Sequence, residues 1–121
     1  MKKGYRKPFV KIKESKRELG LDNTIVRIKA SEDMMMREIA GEYILVPVGA
    51  MALKVHGMIS LNESGALIWK RLQRECTEKD LVEAILAEYS VDKEVAEDDV
   101  RIFVHKMRKI GILIETTEEI E

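Results

Sequence analysis

The chain is poor in the residues from which disulfides, metal centres and signal segments are built: 121 residues hold one cysteine, two histidines and two prolines, and no run of eighteen apolar residues occurs. Cys76 alone cannot close an intrachain disulfide, and the common zinc arrangements need several Cys or His at fixed spacings. The basic N-terminus, Met1 to Lys7, leads into a charged stretch instead of an apolar signal core, so neither secretion nor membrane spanning is expected and a reducing cytoplasm fits best. Charge of one sign is lacking too. Twenty-one Lys+Arg against twenty-two Asp+Glu give a net charge of −1, which offers nucleic acid no overall attraction. What the chain does have, 45% hydrophobic and 36% charged residues, suffices for one domain with a real core.

Catalytic signatures are equally scarce. His56 and His105 are isolated, and no Ser or Cys carries a nucleophile pattern. Cys76 lies between Glu75 and Thr77, where the acidic neighbour disfavours a thiolate. Asp98 and Asp99 are adjacent in a helical pattern and point apart, so they make no dyad. Met34-Met35-Met36 alternate faces on a strand and bring at most two sulfurs together. No metal, no cofactor and no enzymatic activity are expected.

Local patterns order the chain. Residues 1–26 read as a basic extension, in which Val10-Lys11-Ile12-Lys13 and Ile25-Val26-Arg27-Ile28 alternate weakly. Met34 to Ile39 and Glu42 to Val48 flank Ala40-Gly41 as a hairpin; Pro47 limits the second strand and Gly49 permits a turn. A third strand is expected over Lys54 to Leu61, with a bulge or a close backbone approach at Gly57. Asn62 caps a helix to about Arg74 that buries Ala66, Ile68 or Trp69, and Leu72. Thr77-Glu78-Lys79-Asp80 is a near capping box for a second helix. Asp92 opens the longest helix, Lys93 to Ile110, with Ala96, Val100, Phe103, Met107 and Ile110 on one face and Gly111 at its C-terminal stop. Ile112 to Ile114 add a short strand, and 116–121 is expected as a frayed acidic tail. Three antiparallel strands followed by three helices make an α+β domain of winged helix-turn-helix type.

Arg37-Glu38-Ile39-Ala40-Gly41-Glu42-Tyr43, then Ile59-Ser60-Leu61-Asn62-Glu63-Ser64-Gly65 with Trp69, resemble the PqqD family. Leu81-Val82, Ala87 to Val91, Ala96 to Val100, Phe103 and Gly111-Ile112-Leu113 follow in matching order, so the resemblance covers about residues 27–115. It implies a peptide chaperone that catalyses nothing. Such a domain binds the leader of a ribosomally made precursor peptide and presents the core to a modifying enzyme, often a radical S-adenosylmethionine enzyme. The resemblance implies that the leader adds to the third strand and packs beside the third helix. Carried over, the edge is Val55, Met58, Ile59, Ser60 and Leu61. Of the two flanks of the last helix, the one with Glu97, Arg101, Val104 and Arg108 is favoured over that with Val95, Ile102, Lys106 and Lys109, because guanidinium forks suit acidic leader residues. Tyr5-Arg6-Lys7-Pro8, with Val10 two residues on, is similar to the Tyr-x-x-Pro element of lasso-type leaders, which implies an attached leader or a leader mimic that occupies this domain's own groove or a neighbour's, with Tyr5 and Pro8 in apolar pockets. The alternative is a winged-helix DNA-binding regulator, which the mixed charge of the last helix disfavours. An open strand edge is compatible with a monomer or a strand-swapped dimer.

Overall fold

The computed structural model describes residues 2–11, 24–55 and 57–119; His56 lies outside them, as do the side chains of Val10, Lys11, Thr24, Ile25, Glu118 and Glu119. In chain order the elements are β1 (Lys3–Gly4), β2 (Val10–Lys11), β3 (Thr24–Ala30), β4 (Met34–Ile39), β5 (Glu42–Pro47), a 3-10 turn (Gly49–Leu53), β6 (Ile59–Leu61), α1 (Glu63–Arg71), α2 (Glu78–Glu88), β7 (Tyr89–Ser90), α3 (Lys93–Ile110) and β8 (Leu113–Glu119). The expected three antiparallel strands are β4, β5 and β6, followed by three helices as in a winged helix-turn-helix domain. A fourth strand, β2, lies on the outer edge of β6, giving the order β2-β6-β5-β4.

The hairpin between β4 and β5 turns through Ala40 (φ 52°) and Gly41 (φ 82°), the left-handed pair that a two-residue turn between twisted strands requires. Pro47 ends β5, as expected of a residue without an N–H. The third strand is shorter than expected. The 3-10 turn over Gly49–Leu53 runs on into a turn at Lys54 and a bend at Val55, and Val55 is buried in the core instead of standing on the edge. Gly57 (φ 87°) then acts as the turn that lets β6 start at Ile59, not as a bulge within a strand.

The helices form where their caps predict. Thr77 and Asp80 exchange both bonds of the capping box, and the backbone N–H of Thr77 holds the Asp80 carboxyl below its ordinary value. Asp92 stands at the α3 cap without a side-chain bond, and α3 stops at Gly111 in the left-handed region (φ 90°). Helix α1 ends at Arg71, earlier than expected. Leu45, Ile59 and Leu61 on the sheet, Ile68, Trp69 and Leu72 on and after α1, and Val100, Phe103, Val104 and Met107 on α3 share one core.

The acidic C-terminal stretch is a strand as far as Glu119: β8 pairs antiparallel with β3 along seven residues, from Ala30↔Leu113 to Thr24↔Glu119, and residues 120 and 121 of the expected tail lie outside the described residues. The weakly alternating segment near Ile25 is therefore a full strand that starts at Thr24, ahead of the expected boundary at 27. Ile28 and Cys76 exchange backbone bonds of 2.7 and 2.9 Å, and Ala30 N–H donates to Leu72, which ties this ribbon to the connection between α1 and α2.

Candidate functional site

The outer edge of β6 is where the fold leaves backbone groups to be satisfied from outside its own hairpin. Ile59 and Leu61 turn their side chains inward and are buried, and Ser60 between them is half-buried. Residues 3–11 of the same chain run from this edge across the start of α1 to β7. Val10 pairs with Leu61 and Lys11 with Ser60, antiparallel, while at the other end of the segment Lys3 and Gly4 pair parallel with Tyr89 and Ser90.

Between these two pairings the first turn of α1 grips the backbone of the segment. Asn62 Oδ1 accepts both from Gly65 N (3.0 Å), which caps the helix, and from Phe9 N (2.9 Å), while its Nδ2 donates to the Lys7 carbonyl (3.0 Å). Ser64, itself buried, donates its hydroxyl to the Arg6 carbonyl at 2.7 Å. Gly65 is small for a reason visible here: a Cβ would stand 3.1 Å from the Phe9 carbonyl oxygen and 3.2 Å from the Phe103 ring. These contacts read main-chain groups, so they hold an extended peptide with little regard to its side chains.

Two side chains add selectivity. Pro8 is buried, and Tyr5 packs edge-on against Tyr89 with ring centroids 5.6 Å apart. The Tyr5 hydroxyl donates to Asp99 Oδ2 at 2.8 Å; that of Tyr89 donates to Glu63 Oε1 at 3.0 Å, and Glu63 faces Lys3 at 3.6 Å. Burial, and then the carboxylate partner, raises both phenols, Tyr89 to about 12. A raised phenol favours the folded, seated state below the ordinary tyrosine value near 10, and that contribution is lost as pH rises from there through the folded-state value. The expected alkaline behaviour is therefore release of residues 3–11 together with tyrosinate formation above pH ~10. Absorbance near 295 nm against the amide signals of Phe9 checks it; release that is complete before any tyrosine ionises would contradict it.

Asp99 settles which flank of α3 borders the segment, and it is not the favoured one. Asp99 shares a flank with Val95, Ile102 and Lys106 at helical spacing. Val95 and Ile102 stand 45% and 44% exposed there. On the other flank Val104 is fully buried in the core, Arg101 pairs with Asp98 and lines a cleft between α2 and α3, and Arg108 binds Glu115 at 2.7 Å. Helix α2 fills that side, so Arg101, Val104 and Arg108 are turned away from the edge, as Val55 is by its burial. Met58, 66% exposed, immediately precedes β6. Ile59, Ser60 and Leu61 form β6 itself, and Tyr5, Pro8 and Val10 lie in the segment along it.

Asn62, Ser64, Gly65, Tyr89 and Asp99 were not among the residues the sequence singled out for the groove. A signal existed for all five, since each stands in a stretch that carries the family resemblance; reading Asn62 as a cap hid its second task. Among the described residues no group of three His, Cys, Asp or Glu is placed to hold a metal ion. Cys76 is buried, and burial pushes its thiol up. No helix of the described residues is long and apolar enough to cross a membrane.

Comparisons with known proteins give a family and two structural relatives. The family model described as Coenzyme PQQ synthesis protein D (PqqD) matches residues 42–113. No curated protein matches the chain. A solved structure described as TbiB1 in complex with the TbiA(beta) leader peptide is 28% identical, with a TM-score of 0.58 over 70% of this chain and 93% of that one. A second, described as lasso peptide synthetase B1 complexed with the leader peptide, is 21% identical and has a TM-score of 0.58 over 72% of this chain and 96% of that one; at this identity it speaks for the fold alone.

Proposed function

This chain belongs to the PqqD family, and on that premise we propose that it is a non-catalytic recognition domain for the leader of a ribosomally made precursor peptide. The leader adds as a strand to β6 and is clamped through its backbone by Asn62 and Ser64. Its remaining length is presented to a modifying enzyme, for which we propose the radical S-adenosylmethionine class. The observation that carries the reading is the seated segment itself, an extended peptide paired with β6 at Val10 and Lys11 and held by three hydrogen bonds to its backbone, two from Asn62 and one from Ser64. Tyr89 and Asp99 receive one aromatic side chain, a buried slot takes proline, and exposed Val95 and Ile102 offer apolar surface. Support for a leader as the guest also comes from the relative TbiB1, whose structure was solved with one.

The test needs a site not filled by the chain itself. Panning a random dodecapeptide display library against the full chain carrying Tyr5→Ala and Pro8→Ala is expected to enrich peptides that bind saturably and displace one another. N-methylating two consecutive central amides of such a peptide removes a ladder donor whichever of them faces β6, and is expected to weaken binding about tenfold. No enrichment, or peptides indifferent to N-methylation, would refute strand addition. Binding that weakens by decades between low and moderate salt would instead favour a polyanion such as DNA, despite Glu94, Glu97 and Asp98 on α3.

A further inference from the structure

Residues 3–11 sit on β6 like a guest and not like an integral strand. An integral strand brings large apolar side chains into the core, whereas among the described side chains of this segment only Pro8 is buried and Tyr5 half-buried, and Phe9 is left 47% exposed. Its strand pairings are two residues long at each end, and the bonds between them run to main-chain atoms of Arg6, Lys7 and Phe9. Few buried apolar contacts and short ladders mark a unit that opens at low cost compared with the core. Meanwhile its attachment to β3 through residues 12–23 keeps it beside the site.

We propose that residues 3–11 are a built-in ligand that fills the groove in the resting chain, so that a foreign leader enters only by displacing them. This rests on the reading of β6 as a peptide-binding edge. Tethering gives an effective concentration on the order of millimolar. If the free segment has an intrinsic Kd of about 10 μM, the groove is about 99% self-occupied and the apparent Kd of any competitor rises about a hundredfold. The tether thus sets a threshold: leaders that bind no better than the segment are excluded, and those with added contacts to Val95, Ile102 or Met58 gain entry.

The probe is a fluorescein-labelled synthetic peptide of residues 2–13, titrated by anisotropy into the full wild-type chain and into the full Y5A/P8A chain. Both substitutions lie in the segment, outside the domain core, and retention of the fold is checked by the thermal transition. The expected result is a Kd about ten- to a hundredfold lower for Y5A/P8A than for wild type. Equal Kd values for the two chains, or no binding to either, would overturn the inference. The outcomes separate the two proposals. Library peptides that bind both chains equally would leave leader recognition standing and remove self-occupancy, whereas tight binding of the 2–13 peptide to Y5A/P8A with no enriched library peptide would do the reverse. A wild-type dimer that dissociates in Y5A/P8A would place the segment in a second copy's groove and overturn the intramolecular assignment.

Discussion

Replacing Asn62 by Ser and Ser64 by Ala together frees the N-terminal segment while leaving the domain folded. The two residues make three bonds to its backbone, at the Arg6 and Lys7 carbonyls and the Phe9 N–H. Serine is about as good an N-cap as asparagine, so its hydroxyl keeps the cap on Gly65, but it is too short to reach Lys7 and Phe9. Alanine at 64 is a strong helix former and fits the same space. At about 0.5–1.5 kcal/mol per bond, loss of the three amounts to roughly 2–4 kcal/mol, or about thirty- to a thousandfold in the seating equilibrium. Amide hydrogen exchange reads this directly. The Phe9 amide is expected to exchange about a hundredfold faster in N62S/S64A, whereas the Leu72 amide, bonded to Ile68 in the core, exchanges as before. Unchanged Phe9 exchange would mean that the grip of α1 contributes nothing to holding the segment.

The core has its own large-effect prediction. Trp69 is 2% exposed and belongs to the single cluster that joins the sheet to all three helices. Trp69→Ala removes its burial and leaves a cavity, at a cost of about 3–5 kcal/mol. That is a large part of the stability of a domain of this size, typically about 5–15 kcal/mol. A fall in Tm of roughly 10–25 °C is expected by calorimetry. Cys76 supplies an independent readout, because its thiol is 3% exposed and sits where the β3 ribbon meets the connection between α1 and α2. Its reaction with an aromatic disulfide requires opening, so it is expected to accelerate at least a hundredfold in Trp69→Ala. A thiol rate that stays at the wild-type value while Tm falls would show that Cys76 is reached by a local motion unconnected with the core.

How legible these features were in the sequence depended on how local their causes are. Helix α3 could be read because eighteen residues repeat one apolar face between a cap position and Gly111, and α2 because Thr77 and Asp80 are three residues apart. The hairpin followed from Ala40-Gly41 between apolar strands. By contrast, β8 is Leu-Ile-Glu-Thr-Thr-Glu-Glu, acidic enough to pass for a tail; what makes it a strand is β3, more than eighty residues earlier in the chain, and no local pattern carries that pairing. The error at Val55 has a similar origin: an apolar residue before a strand is also what a core-facing turn needs.

The flank of α3 shows the limit most plainly. Val104 on one side and Ile102 on the other are equivalent on a helical wheel, and arginines made the first more attractive as a wall for acidic peptides. Packing of α2 decides the matter by burying Val104 and drawing Arg101 into the cleft beside Glu78, whose carboxyl burial pushes up. Which side remained open depended on where a different helix lay. Tyr5 and Pro8, in contrast, were noticed through their resemblance to the Tyr-x-x-Pro element of lasso-type leaders, and the structure puts one against Tyr89 and Asp99 and buries the other.

The central claim is that guests add as a strand to β6. Its most direct measurement is a set of intermolecular nuclear Overhauser contacts between the isotope-labelled Y5A/P8A chain and an unlabelled peptide of residues 2–13. Contacts from the peptide to the backbone of Ser60 and Leu61, together with contacts to Tyr89 and the Asp99 side of α3, are the predicted result. Contacts to Met35 and Arg37 on the opposite edge strand β4, or to Val82, Leu86 and Arg101 in the cleft between α2 and α3, would contradict it.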